Sequence, residues 1–210
     1  MQFLNVDYKN LNIKEEICLS IGNFDGIHKG HNKILEKLKN EELDRKSIED
    51  FKVSKKLPLT IVLDNIRSLN NIGSVFRTAD AFLVEKIYLC GITASPPHKD
   101  IQKTALGASE NVAWEHVDST IEIVKKLQSK GISVWPIEQT EGSTSLDFFN
   151  PKPKKSYAFI LGNEVKGVDQ KVINICKRAI EIPQFGTKHS LNISVAAGLL
   201  IWDFFTKTKL

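Results

Sequence analysis

Five short apolar runs, at residues 59–63, 86–90, 132–137, 157–161 and 179–182, are essentially continuous rather than alternating. A strand with one wet face alternates polar and apolar residues, so runs of this kind belong to strands covered on both faces. The period changes between them. Ser119-Thr120-Ile121-Glu122 reads as a capping box, followed by Ile121, Val124 and Leu127 at helical spacing and closed by Gly131. Asp169 is placed to cap a second short helix carrying Val172, Ile173 and Cys176. This strand and helix rhythm, beginning near Leu57, predicts an α/β fold with a largely parallel sheet and helices on both of its faces.

A last helix, from about Ser190 to Phe205, is apolar almost all round, including Val195, Leu199, Leu200, Ile201, Trp202 and Phe204. Such a helix is buried on more than one side, which predicts a subunit interface there. Upstream of the sheet, residues 41–56 are charged and poor in large apolar groups, and read as a linker or linker-like helix. Pro151-Lys152-Pro153-Lys154-Lys155 reads as a solvated basic connector.

The 210 residues suffice for one main core plus an extension, and the formal net charge of +4 permits a polyanionic partner without requiring one. Cys18, Cys90 and Cys176 are odd in number and lack any C-x-x-C pair, so neither a disulfide framework nor a zinc ribbon is indicated. No apolar run approaches the roughly 20 residues that cross a bilayer. The N-terminus has no signal-peptide layout. A cytoplasmic protein without a membrane partner is the expectation.

Three segments carry residues suited to chemistry. The first follows the strand at 59–63 and holds Asn71 and Arg77 in N-x-G-x-x-x-R. Ligands in open α/β sheets collect beyond the carboxyl ends of strands, so polar residues there reach substrate. Asn71 and Arg77 lie six apart, which is not one face of a straight helix; loop geometry around Gly73 would have to bring them together. Arg77 taken alone also reads as a surface ion-pair partner. The second segment, L-G-x-E-x-x-G, runs from Leu161 and Gly162 to Glu164 and Gly167. Gly162 allows close backbone approach, and Glu164 puts a carboxylate at the strand's end. The third is I-P-x-x-G-x-x-x-S-L-N-x-S-V-A, from Ile182 through Ser190, Leu191 and Asn192 to Ala196. Ser190 could be a helix cap and Asn192 an exposed first-turn residue.

Together, in this order and spacing from Leu57 to Phe205, the three motifs resemble the SpoU/TrmH family of the SPOUT methyltransferase superfamily. The resemblance implies an α/β knot, in which the C-terminal stretch threads a loop to make a trefoil, and an obligate homodimer. It implies transfer of a methyl group from S-adenosylmethionine to a ribose 2′-hydroxyl of tRNA or rRNA. Main-chain groups of Leu161, Gly162, Ile182 and Leu191 would hold the cofactor, and no metal is required. Arg77 matches the residue to which the family assigns activation of the hydroxyl. A guanidinium keeps its charge and is a poor base, so Arg77 is expected to clamp the neighbouring phosphate and stabilise the developing alkoxide. Asn71 and Glu164 would orient Arg77 or the ribose, while Ser190 and Asn192 would hold the active-site backbone and the substrate.

A further motif, G-x-F-D-G-x-H-x-G-H from Gly22 to His31, resembles the opening of the riboflavin kinase/FAD synthetase family, where two histidines meet nucleotide phosphates at a helix start. A nucleotidyltransferase needs a whole sheet and further motifs, so residues 1–40 read as a fused, truncated start of such an enzyme, ahead of a methyltransferase domain at 57–210. Two alternatives stand beside methyl transfer: FMN adenylyltransferase-like nucleotide binding by this segment, and a catalytically dead RNA-binding module.

Overall fold

In the computed structural model, which describes residues 47–187 and 190–208, the apolar runs become one seven-stranded sheet. A short helix, α1 (Ile48–Val53), precedes β1 (Leu57–Asp64), α2 (Leu69–Ala81) and β2 (Val84–Cys90). Then come α3 (Lys99–Ala105), α4 (Ala108–Asn111), β3 (Trp114–Val117), α5 (Thr120–Ser129) and β4 (Ser133–Ile137). The chain continues through β5 (Thr144–Ser145), β6 (Tyr157–Leu161), α6 (Gln170–Cys176) and β7 (Ile180–Glu181) to α7 (Ile193–Thr208). The strand order is β3-β2-β1-β6-β4-β7-β5, and every pairing within it is parallel.

The continuous runs are explained by the two cores. Leu59, Ile61, Leu63, Phe159 and Leu161 point to one face, where Ile72, Phe76, Leu200 and Phe204 from α2 and α7 cover them. Val62, Ala158 and Ile160 point to the other, under Ile123, Val124 and Leu127 of α5 and Val172 and Cys176 of α6. Each such side chain contributes roughly 1.5–3 kcal/mol by leaving water. Phe204, fully buried, meets Tyr157 and Phe159 edge-on at centroid distances of 5.4 and 5.7 Å.

Two strands were not foreseen. β3, with the sequence WEHV, pairs only with β2, and β5 has two residues pairing only with β7. Short edge strands bury too little to leave a continuous apolar run. Pro136 is tolerated inside β4 because the ladder to β7 engages only Ile137. The helix caps hold as expected at Ser119, whose hydroxyl accepts from Glu122 N at 3.3 Å, and at Asp169, which accepts from Lys171 N at 2.8 Å. α7 begins at Ile193 rather than near Ser190, and it buries Ile193, Ala197, Leu200, Ile201 and Phe204 while Val195, Leu199 and Trp202 stay 43–54% exposed. Of the linker-like stretch, residues 41–46 lie outside the described residues; α1 carries a buried Phe51 behind a Ser47 cap.

Cys90 and Cys176 are free and buried, and burial pushes their thiols up to about 12 and about 11. Neither is poised as a thiolate. Among the described residues no helix is long and apolar enough to cross a membrane, and no group of three or more His, Cys, Asp and Glu could hold a metal ion.

Candidate functional site

The carboxyl ends of β4, β6 and β7 open onto a cleft of about 630 Å³, the place where a parallel sheet offers ligands its strand ends and loop amides. Its walls are the end of β4, the turn after β6, Glu181, Ile182 and Gln184, the residues from Ser190 into the first turn of α7, and Asn71 from the first turn of α2. Eight of the nine residues named from sequence line it: Asn71, Leu161, Gly162, Glu164, Ile182, Ser190, Leu191 and Asn192.

The turn after β6 is wired from within. Asn163 and Gly167 exchange main-chain hydrogen bonds of 3.0 and 2.8 Å, and Asn163 Oδ1 accepts from the amides of Val165 and Lys166. Asn163 Nδ2 donates 2.8 Å to the Asn65 carbonyl, tying the turn to the end of β1. Gly162 is required by contact rather than by φ: a Cβ there would overlap the main chain of Gly167 and Val168. From β4, Glu138 accepts the Val168 amide at 2.9 Å and that of Gln139 at 3.2 Å.

Glu164 faces the start of α2. Its two oxygens accept the main-chain N–H groups of Arg67 and Ser68, each at 3.1 Å. Burial raises its carboxyl, but hydrogen bonds from the main-chain N–H groups of Glu164, Arg67 and Ser68 and from the Asn71 amide outweigh this and hold it below the usual range. The carboxylate therefore braces the peptide that leads into α2.

Asn192 does two things at once. Its Oδ1 accepts from Ser194 N at 2.9 Å and Ser194 Oγ at 2.7 Å, capping α7, while Nδ2 donates 3.2 Å to Asn71 Oδ1. It is thus the helix cap, the role foreseen for Ser190, which instead lies two residues upstream on the cleft wall. The main-chain groups of Ile182 and Leu191 enter no main-chain hydrogen bond among the described residues, leaving donors and acceptors at the cleft.

Arg77 does not join the others. α2 is a continuous helix from Leu69 to Ala81, so no loop bends around Gly73. Six residues place Arg77 about 9 Å further along the axis and on another face. It is exposed, lies outside the cleft, and its side chain has no hydrogen bond or ion pair among the described residues. Gly73 serves packing: a Cβ there would overlap Thr104 and the Ile101 carbonyl, so its absence lets α2 press onto α3.

Sequence reasoning missed Glu138, Gln139, Asn163 and Gln184 on the cleft wall. Glu138 and Gln139 directly follow a buried strand, and the strand-end rule would have found them. With Glu164 and Glu181, Glu138 gives the cleft three carboxylates, against one ammonium, that of Lys166, among the described lining residues. Such a lining suits a ligand that carries positive charge.

The sequence profile of the SpoU rRNA Methylase family matches residues 58–202, and that of the FAD synthetase family matches residues 10–53. The "23S rRNA (guanosine-2'-O-)-methyltransferase RlmB" of Vibrio cholerae is 30% identical over 162 residues, 77% of this chain and 64% of that protein. Its counterpart from Neisseria meningitidis is 32% identical over 144 residues, covering 69% of this chain and 56% of the relative. The chain thus spans less than two thirds of the length of these relatives. Among solved structures, the A. aeolicus TrmH/SpoU tRNA modifying enzyme superposes with a TM-score of 0.68 at 24% identity, over 83% of this chain and 84% of the other. The AdoMet-bound rRNA methyltransferase from Sinorhizobium meliloti gives 0.67 at 24% identity, over 77% and 61%.

Proposed function

The chain belongs to the SpoU rRNA methylase family, and from that premise we propose that it transfers a methyl group from S-adenosylmethionine to a ribose 2′-hydroxyl of tRNA or rRNA. The observation that carries the proposal is the convergence of eight motif residues, from three separated segments, on one cleft of about 630 Å³. That volume lies in the range of small-molecule sites. The main-chain groups of Ile182 and Leu191, without a main-chain partner among the described residues, suit an adenine edge, and the three carboxylates suit a ligand with a sulfonium and an ammonium. S-adenosylmethionine, when bound, supplies the activated methyl group.

The protein's own residues then have the tasks of placement and charge. Leu161, Gly162, Ile182 and Leu191 hold the cofactor through the main chain. Ser190 and Asn192 shape the wall that receives the ribose, and Glu164 and Asn71 fix the first turn of α2. A guanidinium is a poor base, so Arg77 clamps the phosphate beside the ribose and stabilises the alkoxide as the O–H proton passes to phosphate or water. In this transfer the O–CH3 bond forms as the S–CH3 bond breaks.

The proposal includes a C-terminal trefoil knot and a homodimer. The dimer is supported by the exposed Val195, Leu199 and Trp202 on one side of α7, an apolar stripe that a second copy would cover. α2 packs against α7, so covering that stripe brings the exposed side of α2, with Arg77, towards the second copy. This gives Arg77 a route to a cleft other than its own.

The test is incubation of the protein with methyl-labelled S-adenosylmethionine and RNA, followed by mass spectrometry of the nucleosides. Label on ribose 2′-oxygens supports the reading; label on bases, or none, sinks it. Calorimetry with ATP checks the FAD synthetase-like segment in the same preparation, where binding would support a separate nucleotide site.

A further inference from the structure

Another cleft, of about 480 Å³, lies at the amino ends of β1 and β6, the opposite end of the strands from the first. It is framed by Pro58 at the start of β1, by the loop before β6, and by the end of α7. Six lysines line it: Lys55, Lys56, Lys152, Lys154, Lys155 and Lys207, with no Asp or Glu among the described lining residues. The groove is thus a local concentration of positive charge in a chain whose formal net charge is only +4.

Two of the six are tied into the fold. Lys207 Nζ donates 2.8 Å to the Leu146 carbonyl and lies 2.9 Å from an Asp203 oxygen. Lys56 folds back over the Phe51 ring, 3.3 Å from its centroid, and donates to the Phe51 carbonyl. Lys55, Lys152, Lys154 and Lys155 have no side-chain hydrogen bond or ion pair among the described residues. The backbone of the last three is nonetheless held. Tyr157 Oη accepts the Lys152 amide at 2.7 Å, the Lys155 amide donates to the Lys152 carbonyl, and Pro151 and Pro153 stiffen the turn. Four unpaired ammoniums on a fixed frame repel one another and gain by meeting an anion with several charges.

We propose that this lysine-lined groove binds the phosphodiester backbone of the RNA whose ribose is presented at the cleft at the other end of the strands. The inference rests on the RNA methyltransferase reading. Lysine serves phosphates as a point charge, and contacts of this kind set register without reading sequence. The five residues of β6 separate the two clefts by about 17 Å, a span that a folded RNA bridges and a single nucleotide does not. A membrane surface is disfavoured because the groove is concave and its apolar lining is proline alone, with no aromatic or long aliphatic side chain to insert between lipids. An acidic protein is disfavoured because protein interfaces are depleted in lysine at their centres.

The experiment compares the full chain with the Lys152→Gln, Lys154→Gln, Lys155→Gln triple variant, and with a control in which Lys125, Lys130 and Lys171, all exposed elsewhere, become Gln. The probe is a mixed-sequence RNA duplex, titrated at several salt concentrations, with S-adenosylmethionine binding as the check on folding. Each lost phosphate contact lowers the slope of log affinity against log salt by about 0.9, so the groove variant should lose about 2 to 3 units of slope while the control keeps the wild-type value. Equal slopes for wild type and groove variant, or equal losses in variant and control, overturn the proposal. So does binding of the wild type to phosphatidylserine vesicles as tightly as to the RNA, if the groove variant loses both to the same degree. An unchanged slope in a chain that still methylates RNA discards the groove and leaves the methyltransferase standing; absence of both RNA binding and methyl transfer discards both.

Discussion

The two ends of the sheet are built on opposite plans. At the carboxyl ends of β4, β6 and β7, polar groups are committed before any ligand arrives: Glu164 to the amides of Arg67 and Ser68, Asn163 to its own turn and to Asn65, Glu138 to Val168. At the amino ends of β1 and β6, four lysine ammoniums have no partner among the described residues. One end is shaped by short hydrogen bonds and the other by unbalanced charge. The first should therefore be sensitive to geometry and little affected by salt, the second the reverse.

The comparison assumes that both ends hang on one core, and Phe204 tests it. Phe204→Ala removes the ring between Tyr157 and Phe159 and should cost about 3–5 kcal/mol in denaturant unfolding. Both ends should fail in one transition; two separated transitions would break the comparison at its root. Next in size is Arg77→Ala, which should lower methyl transfer by about 10²–10³ while calorimetry shows S-adenosylmethionine affinity nearly unchanged. Turnover at the wild-type rate would remove Arg77 from the mechanism. Gly162→Ala forces a methyl into the main chain of Gly167 and Val168 and should destabilise by about 1–3 kcal/mol with weakened cofactor binding. Its RNA-duplex salt slope should stay as in wild type, since the groove lies at the far end of β6.

The smallest effect concerns protons. The Glu164 carboxyl is held below its ordinary value of 4.5 in the folded chain, so its brace on α2 is fully present above that value. The contribution fades as pH falls through the lowered folded value. Glu164 is exposed, so the step is small. Thermal melts of wild type and Glu164→Gln should differ at neutral pH and converge in acid; a constant gap across that range would show that Glu164 acts through packing.

Much of this was legible in the sequence. Continuous apolar runs announced a sheet covered on both faces, and the motifs gathered eight residues that the fold brings to one cleft. What was not legible depends on distance in the chain. The lysine groove joins residues 55–56, 152–155 and 207, and the stretch 151–155 by itself reads as a solvated connector. β3 and β5 left no run because edge strands of four and two residues need not be apolar. The separation of Asn71 from Arg77 followed from helical geometry, but only the unbroken course of α2 through Gly73 decided it. Residues 1–46, with the FAD synthetase-like motif, lie outside the described residues.

The central position of β1 has a consequence for synthesis. One of its neighbours is β2, close in sequence, but the other is β6, with Leu59 opposite Tyr157 and Leu63 opposite Leu161. Until β6 has left the ribosome, the run Leu59 to Leu63 lacks its second neighbour and much of its cover. Parallel pairing across so long a loop is intrinsically slow, because the entropy of closure comes before the contacts that reward it. The nascent chain therefore carries a sticky, half-paired strand throughout the synthesis of the segment from β1 to β6, which is the stage at which a chaperone would find it.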